Sequence, residues 1–277
     1  MEKKNSGKKY KKIYRLKIKR TKEKIKKGKG MEDKYNLTRE QNIFLAKKIL
    51  AETVYNAIKL EGLNTTYVQT EKILNGINDE KVALDDVRTI LNLKSAWKYI
   101  LNNLDKEIDI NFVCNVNKRV SADESLDWGV IRYGNVGVRL IDGSSYDPEV
   151  PDIEKVSKEL EKINKIENTT EKALTYYLWG ARSQLFWDGN KRTSNIVANA
   201  ILIRDGKGIL SVDEKDLEEF NLKLSKFYKT NNMKEMKDFL YNKSIKGMTI
   251  NKELEKKNKN PWVKNKENEK DKGSERQ

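Results

Sequence analysis

The chain has 277 residues, with 57 Lys and Arg against 42 Asp and Glu, no His and a single cysteine, Cys114. That length suits one ordinary domain with extensions, or two small domains. One cysteine excludes an internal disulfide framework, and without His the usual zinc sites are excluded too, so a metal here would take oxygen ligands as Mg²⁺ does.

No apolar run approaches the length of a membrane span, so no membrane association is expected and a cytoplasmic protein is the default reading. The net charge of +15 is unevenly placed. Residues 1–30 carry 13 Lys and 2 Arg against 2 Glu, and residues 252–277 carry nine basic and six acidic groups. The body between them is within one charge of neutral. Residues 1–30 therefore read as a basic disordered extension, the one part suited to nucleic acid by counterion release; equally, translation begins at Met31. Residues 252–277 read as a charged disordered tail, which leaves residues 31–251 as the folded domain.

Within that domain the pattern is helical. Thr38 caps a first helix whose apolar stripe runs Ile43, Leu45, Ala46, Ile49, Leu50, Val54 and Ala57, with Gly62 as its stop. Thr66 and Gln69 form a capping box for a short helix that Gly76 ends. Longer helices follow over "LDDVRTILNLKSAWKYILNN" and "NFVCNVNKRVS". After an irregular centre, Asp152 starts "IEKVSKELEKINKI" and the "NTTE" cluster starts "KALTYYLWGARSQLF". "KRTSNIVANAILI", "EKDLEEFNLKLSKFY" and "MKEMKDFLYN" complete the series. The exception is "GVIRYGNVGVRLIDGSSYDPEVPD", where Val and Ile among Gly, Asn and Asp turn formers read as a β-hairpin, or as a plain surface loop.

Residues 188–192, "DGNKR", lie between two amphipathic helices. Gly189 permits a turn other residues resist, and successive N–H groups leading into a helix N-terminus make an anion-binding nest. Asp188 suits a Mg²⁺ ion that bridges phosphates; Asn190 and Arg192 supply amide and guanidinium donors. The plain alternative is an ordinary Asp-Gly-Asn turn with Asp188 as cap.

The stretch "SQLFWDGNKRTSN" resembles the Fic/Doc (Fido) signature H-x-F-x-[DE]-G-N-x-R, with Phe186, Asp188, Gly189, Asn190 and Arg192 matching. The resemblance implies an all-α, Fido-type helical bundle with a small β-hairpin flap upstream. It implies Mg·ATP as the ligand and transfer of AMP, or of phosphate, to a Ser, Thr or Tyr hydroxyl of a target protein docked on the flap at Val136, Gly137 and Val138. Phe186 would pack the loop, Asp188 hold the metal, and Gly189, Asn190, Lys191 and Arg192 bind phosphate. "KLEGLNTT" resembles the family's inhibitory element through Glu61 and Gly62, although Ala57 replaces its Ser; its plain reading is an exposed Glu before a Gly cap.

Two further departures bear on chemistry. Gln184 occupies the slot of the family's catalytic His, and Asn195 stands where many AMP-transferring members carry a second Arg. An amide is no general base, and loss of that base removes about 10²–10⁴-fold in rate. The expectation is a nucleotide-binding protein with weakened transfer; the alternative is a catalytically inactive nucleotide-binding regulator, or an interaction protein of toxin–antitoxin type.

Overall fold

The computed structural model of the chain describes residues 31–259. Capped amphipathic segments separated by short polar breaks give a helical body with one small flap hairpin, the all-α architecture expected. The basic extension of residues 1–30 and the tail beyond residue 259 lie outside the described residues.

Helix α1 (Arg39–Lys48) opens on a capping box: Gln41 N–H donates to Thr38 Oγ1 (3.2 Å), and Thr38 N–H donates to Gln41 Oε1 (2.9 Å). The stripe from Ile43 to Ala57 predicts one helix, but the chain breaks at Ile49 before α2 (Leu50–Leu60). Thr53 supplies a reason. Its hydroxyl donates back to Ile49 O (2.8 Å) and Leu50 O (3.0 Å), a competition with the backbone ladder that bends helices. Gly62, at φ +80°, then ends α2 in the left-handed conformation. Helix α3 (Tyr67–Leu74) follows its expected Thr66–Gln69 box. Helices α4 (Leu84–Leu101) and α5 (Ile110–Val120) come next, the latter capped by Asp109, whose Oδ1 accepts from Phe112 N–H at 2.7 Å.

After the hairpin come α6 (Ile153–Asn164), α7 (Thr169–Ser183) and α8 (Asn190–Arg204), the first two capped by Asp152 and Asn168. Helices α7 and α8 pack on each other more extensively than any other described pair, and α8 also meets α1, α4 and α5. Its "NIVANAILI" run is buried almost all round, as expected of a helix at the centre of a bundle. Helices α9 (Leu217–Thr230) and α10 (Lys234–Phe239) flank this pair.

In the hairpin, β1 (Val138–Arg139) pairs antiparallel with β2 (Ser145–Tyr146), Val138 opposite Tyr146. A ladder this short is marginal alone, so side chains of the body hold it. Asp142 at its tip pairs with Lys229 of α9. The Tyr146 ring lies 5.4 Å from that of Tyr228, and the Arg182 guanidinium sits 4.5 Å from the Tyr146 centroid. A second ladder, β3 (Ile209–Leu210) with β4 (Ile245–Lys246), joins segments that the sequence pattern does not relate. Residues 252–259, read from composition as the start of the disordered tail, instead form α11 (Lys252–Lys259), where Glu255 Oε1 accepts from Gln41 Nε2 at 2.8 Å.

Candidate functional site

The turn from α7 into α8 is built by its own side chains. Gln184 leaves α7 in the left-handed conformation (φ 46°, ψ 57°). Its Nε2 donates to Ala181 O (2.6 Å) and its Oε1 accepts from Asn190 Nδ2 (3.0 Å). Asn190 also brackets buried Phe186, accepting from its N–H (2.9 Å) and donating to its carbonyl (2.8 Å). Gly189 sits at φ +71°, and a Cβ there would run into Ser121 Oγ and Val120 Cγ1. Close approach and backbone conformation both require glycine. The N-terminus of α8 has no side-chain cap, and the first N–H groups of a helix lack intrahelical acceptors, so the turn presents free donors.

The carbonyl of Asp188 accepts from Asn117 Nδ2 (3.0 Å) and Ser121 Oγ (3.1 Å), and its Oδ1 from Gly189 N–H (2.5 Å). Its carboxylate is 50% exposed. Arg192 is different. Its side chain is 6% exposed, and its Nη1 lies 2.5 Å from Glu124 Oε2 while Nη2 lies 3.4 Å from Asp188 Oδ2. Burial draws the Arg192 pKa down, but Glu61, Glu124 and Asp188 outweigh it and hold the guanidinium above its ordinary value.

A cleft of about 360 Å³ opens over this turn. It is lined by Gln184, Asp188, Gly189, Asn190 and Lys191 from the turn, by Glu61 from the end of α2, and by Val136, Gly137 and Val138 from the hairpin. Helix α9 closes the far side with Leu224 and Tyr228 among others. The sequence-selected residues therefore converge, with three exceptions. Phe186 is buried beneath the turn, Gly62 ends α2 without lining the cleft, and Arg192 faces Glu124. Glu61 Oε2 lies 3.4 Å from Lys191 Nζ, which also donates to Leu60 O at 3.3 Å. Asn195 donates to Leu210 O (3.3 Å) and also stays out of the cleft.

No imidazole lines the cleft. Burial, then Glu61, raises the Tyr228 hydroxyl well above its ordinary value. Elsewhere, burial and then Asp109 push the Cys114 thiol up to about 11, which removes a thiolate nucleophile. Among the described residues no group of three or more His, Cys, Asp or Glu is placed to hold a metal. A single half-exposed carboxylate, Asp188, fits a cation held mostly by nucleotide phosphates and water, the usual habit of Mg²⁺.

Sequence reasoning missed Asn117, Ser121 and Glu124, and gave Arg132 no role. Arg132, 1% exposed, donates to Gln184 O (2.5 Å), Gly134 O, Pro148 O (3.3 Å) and Glu149 O (2.6 Å). It thus ties the motif turn to both ends of the hairpin. Asn117 alone left a signal: it is a polar residue on the buried Val113, Val116 and Val120 face of α5. The others lie too far along the chain from the motif for spacing to relate them.

No family model matches the chain. Curated proteins named protein adenylyltransferase Fic from Drosophila sechellia, Drosophila simulans and Drosophila melanogaster are 27% identical over 169 residues, which is 58% of this chain and 34% of theirs. The chain thus spans about a third of the length of the curated relatives it matches. Among solved structures, Fic-1 (residues 134–508) from C. elegans superposes with a TM-score of 0.60 at 20% identity, covering 71% of this chain and 60% of that one. A Fic-domain-containing signalling protein from Bacteroides thetaiotaomicron gives 0.59 at 21% identity, covering 68% and 75%. Among the described residues no helix is long and apolar enough to cross a membrane. Likeness in sequence to Fic proteins, and in fold to Fic-domain structures, agrees with the motif turn, cleft and hairpin of this molecule: the chain has the fold of a Fic/Fido domain.

Proposed function

We propose that the cleft binds Mg·ATP or a related nucleotide and that the protein transfers AMP, or phosphate, to a hydroxyl of a protein docked on the flap, at a rate much reduced by Gln184. The observation that supports this most is the single cleft where the uncapped helix N-terminus, Asp188 and Lys191 face the hairpin residues Val136, Gly137 and Val138, the Asn190 amide being spent on Gln184 and Phe186 within the turn. Phosphate oxygens would meet backbone N–H groups and the Lys191 ammonium. Asp188 would hold the metal, which on binding neutralises phosphate charge. Glu61, by engaging Lys191, would compete with the phosphates. Arg192 enters this reading as a support of the turn rather than as a direct phosphate ligand, because its guanidinium is turned to Glu124.

One observation favours the second reading, a catalytically inactive nucleotide-binding regulator. The Gln184 amide is committed at both ends, to Ala181 O and Asn190 Nδ2, and serves the geometry of the turn rather than proton transfer. Mass spectrometry of the wild-type protein incubated with Mg·ATP and a cell extract separates the two. An AMP or phosphate adduct on protein hydroxyls supports transfer. ATP binding by calorimetry, lost in Asp188→Ala, with no adduct supports the regulator. Absence of ATP binding overturns both.

A further inference from the structure

Glu124 lies in the irregular segment after α5, 64 positions before Asp188, yet its carboxylate is 12% exposed and fully engaged. Oε1 accepts from Thr89 Oγ1 (3.0 Å) and Asn92 Nδ2 (2.9 Å) of α4, and Oε2 accepts from Arg192 Nη1 (2.5 Å). Arg192 spans from this carboxylate to Asp188 Oδ2 at 3.4 Å, and its Nε is buried without an acceptor. Glu61 also acts on this guanidinium but is paired with Lys191 (3.4 Å), so two carboxylates in contact share one guanidinium and that set carries one surplus negative charge. The shorter, drier contact is to Glu124, where the electrostatic attraction is stronger. The surplus therefore resides on Asp188, the half-exposed member facing the cleft.

We propose that Glu124 is a positioning residue for Asp188, acting through Arg192. It takes up most of the guanidinium charge, so that Arg192 orients the Asp188 carboxylate without neutralising it, and Asp188 stays available to a divalent cation. Thr89 and Asn92 hold Glu124 in place. The inference rests on the proposed nucleotide site and names what keeps its cation ligand competent. Removing the Glu124 charge leaves the buried guanidinium with Asp188 as its nearest carboxylate, which then becomes an internal ion-pair partner and a poor metal ligand.

The test is calorimetry of ATP binding to full-length wild type, Glu124→Gln and Thr89→Val, once with Mg²⁺ and once with EDTA. Loss of an outer partner of a metal ligand typically costs about 10–100-fold in metal affinity. The expected result is a loss of that size for Glu124→Gln with Mg²⁺, ATP affinity in EDTA within about threefold of wild type, and a smaller change in the same sense for Thr89→Val. Equal losses in both conditions would mean that Glu124 only scaffolds the turn, and no loss would mean that it does not act on Asp188; either overturns the inference. If Glu124→Gln fails to fold, Thr89→Val decides by the same criteria.

A parallel Tb³⁺ titration separates this inference from the nucleotide reading, using emission sensitised by Trp187, which lines the cleft with Asp188. Wild type that binds no ATP refutes the nucleotide reading, and Tb³⁺ then decides the inference. Emission abolished by Asp188→Asn and weakened by Glu124→Gln supports it. Emission absent in wild type, or unaffected by either substitution, overturns it.

Discussion

Replacing Arg132 with Lys tests whether the flap and the motif turn are one mechanical unit. The Arg132 guanidinium is buried, and its partners are four backbone carbonyls, those of Gln184, Gly134, Pro148 and Glu149. Lysine keeps the charge but offers three N–H donors on one nitrogen in place of a fork spread over three, so it cannot span all four carbonyls, and loss of two of the four hydrogen bonds is the expected case. Hydrogen bonds from a charged donor contribute about 1.5–3 kcal/mol each. Loss of two at the lower value costs about 3 kcal/mol, a fall in Tm of about 6–12 °C for a domain of this size. Calorimetry reads that fall, and hydrogen exchange shows where it acts. The expected pattern is loss of protection in the hairpin and in the turn after α7 together, with the α8 core unchanged. A Tm within about 2 °C of wild type with an unchanged hairpin would refute the anchoring argument.

Gln184→His restores a titratable ring at the motif slot. If the rest of the cleft is competent, adduct formation by mass spectrometry rises by about 10²–10⁴-fold, and no rise means that target or nucleotide geometry has also changed. Glu61→Ala frees Lys191 from a partly exposed ion pair of about 0.5–1 kcal/mol, so ATP binding tightens about two- to fivefold by calorimetry; weaker binding would show that Glu61 supports the nest rather than opposing it. Gly189→Ala forces a non-glycine residue to φ +71° against Ser121 Oγ, which costs about 1–3 kcal/mol for the backbone alone and should lower both Tm and nucleotide affinity. Lys229 first, then Ser144, holds the Asp142 carboxylate at a pKa of about 2, below its ordinary value of 3.8. The ionised form is therefore favoured in the folded protein, and the flap-tip tie is complete above about pH 4 and weakens as pH falls towards 2. NMR of flap amides in wild type and Asp142→Asn measures this, and a tie lost at pH 5 would contradict it.

The sequence by itself determined what local chemistry controls. The capping box at Thr66 and the caps at Thr38 and Asp152 placed helices because such signals act within one or two turns. The motif gave Asp188, Gly189, Asn190 and Lys191 for the same reason: a turn leading into a helix is encoded where it occurs. It could not show the break at Ile49, because Thr53 competes for carbonyls that an apolar pattern does not register. Nor could it show that Arg192 turns to Glu124, that Asn117 and Ser121 hold Asp188, or that Arg132 fastens the flap. These contacts join segments tens of residues apart, and a charged side chain of Arg type takes whichever carboxylate or carbonyl folding brings within about 3 Å. Tertiary structure alone decided which of the motif's polar groups face the cleft and which are consumed in holding it open.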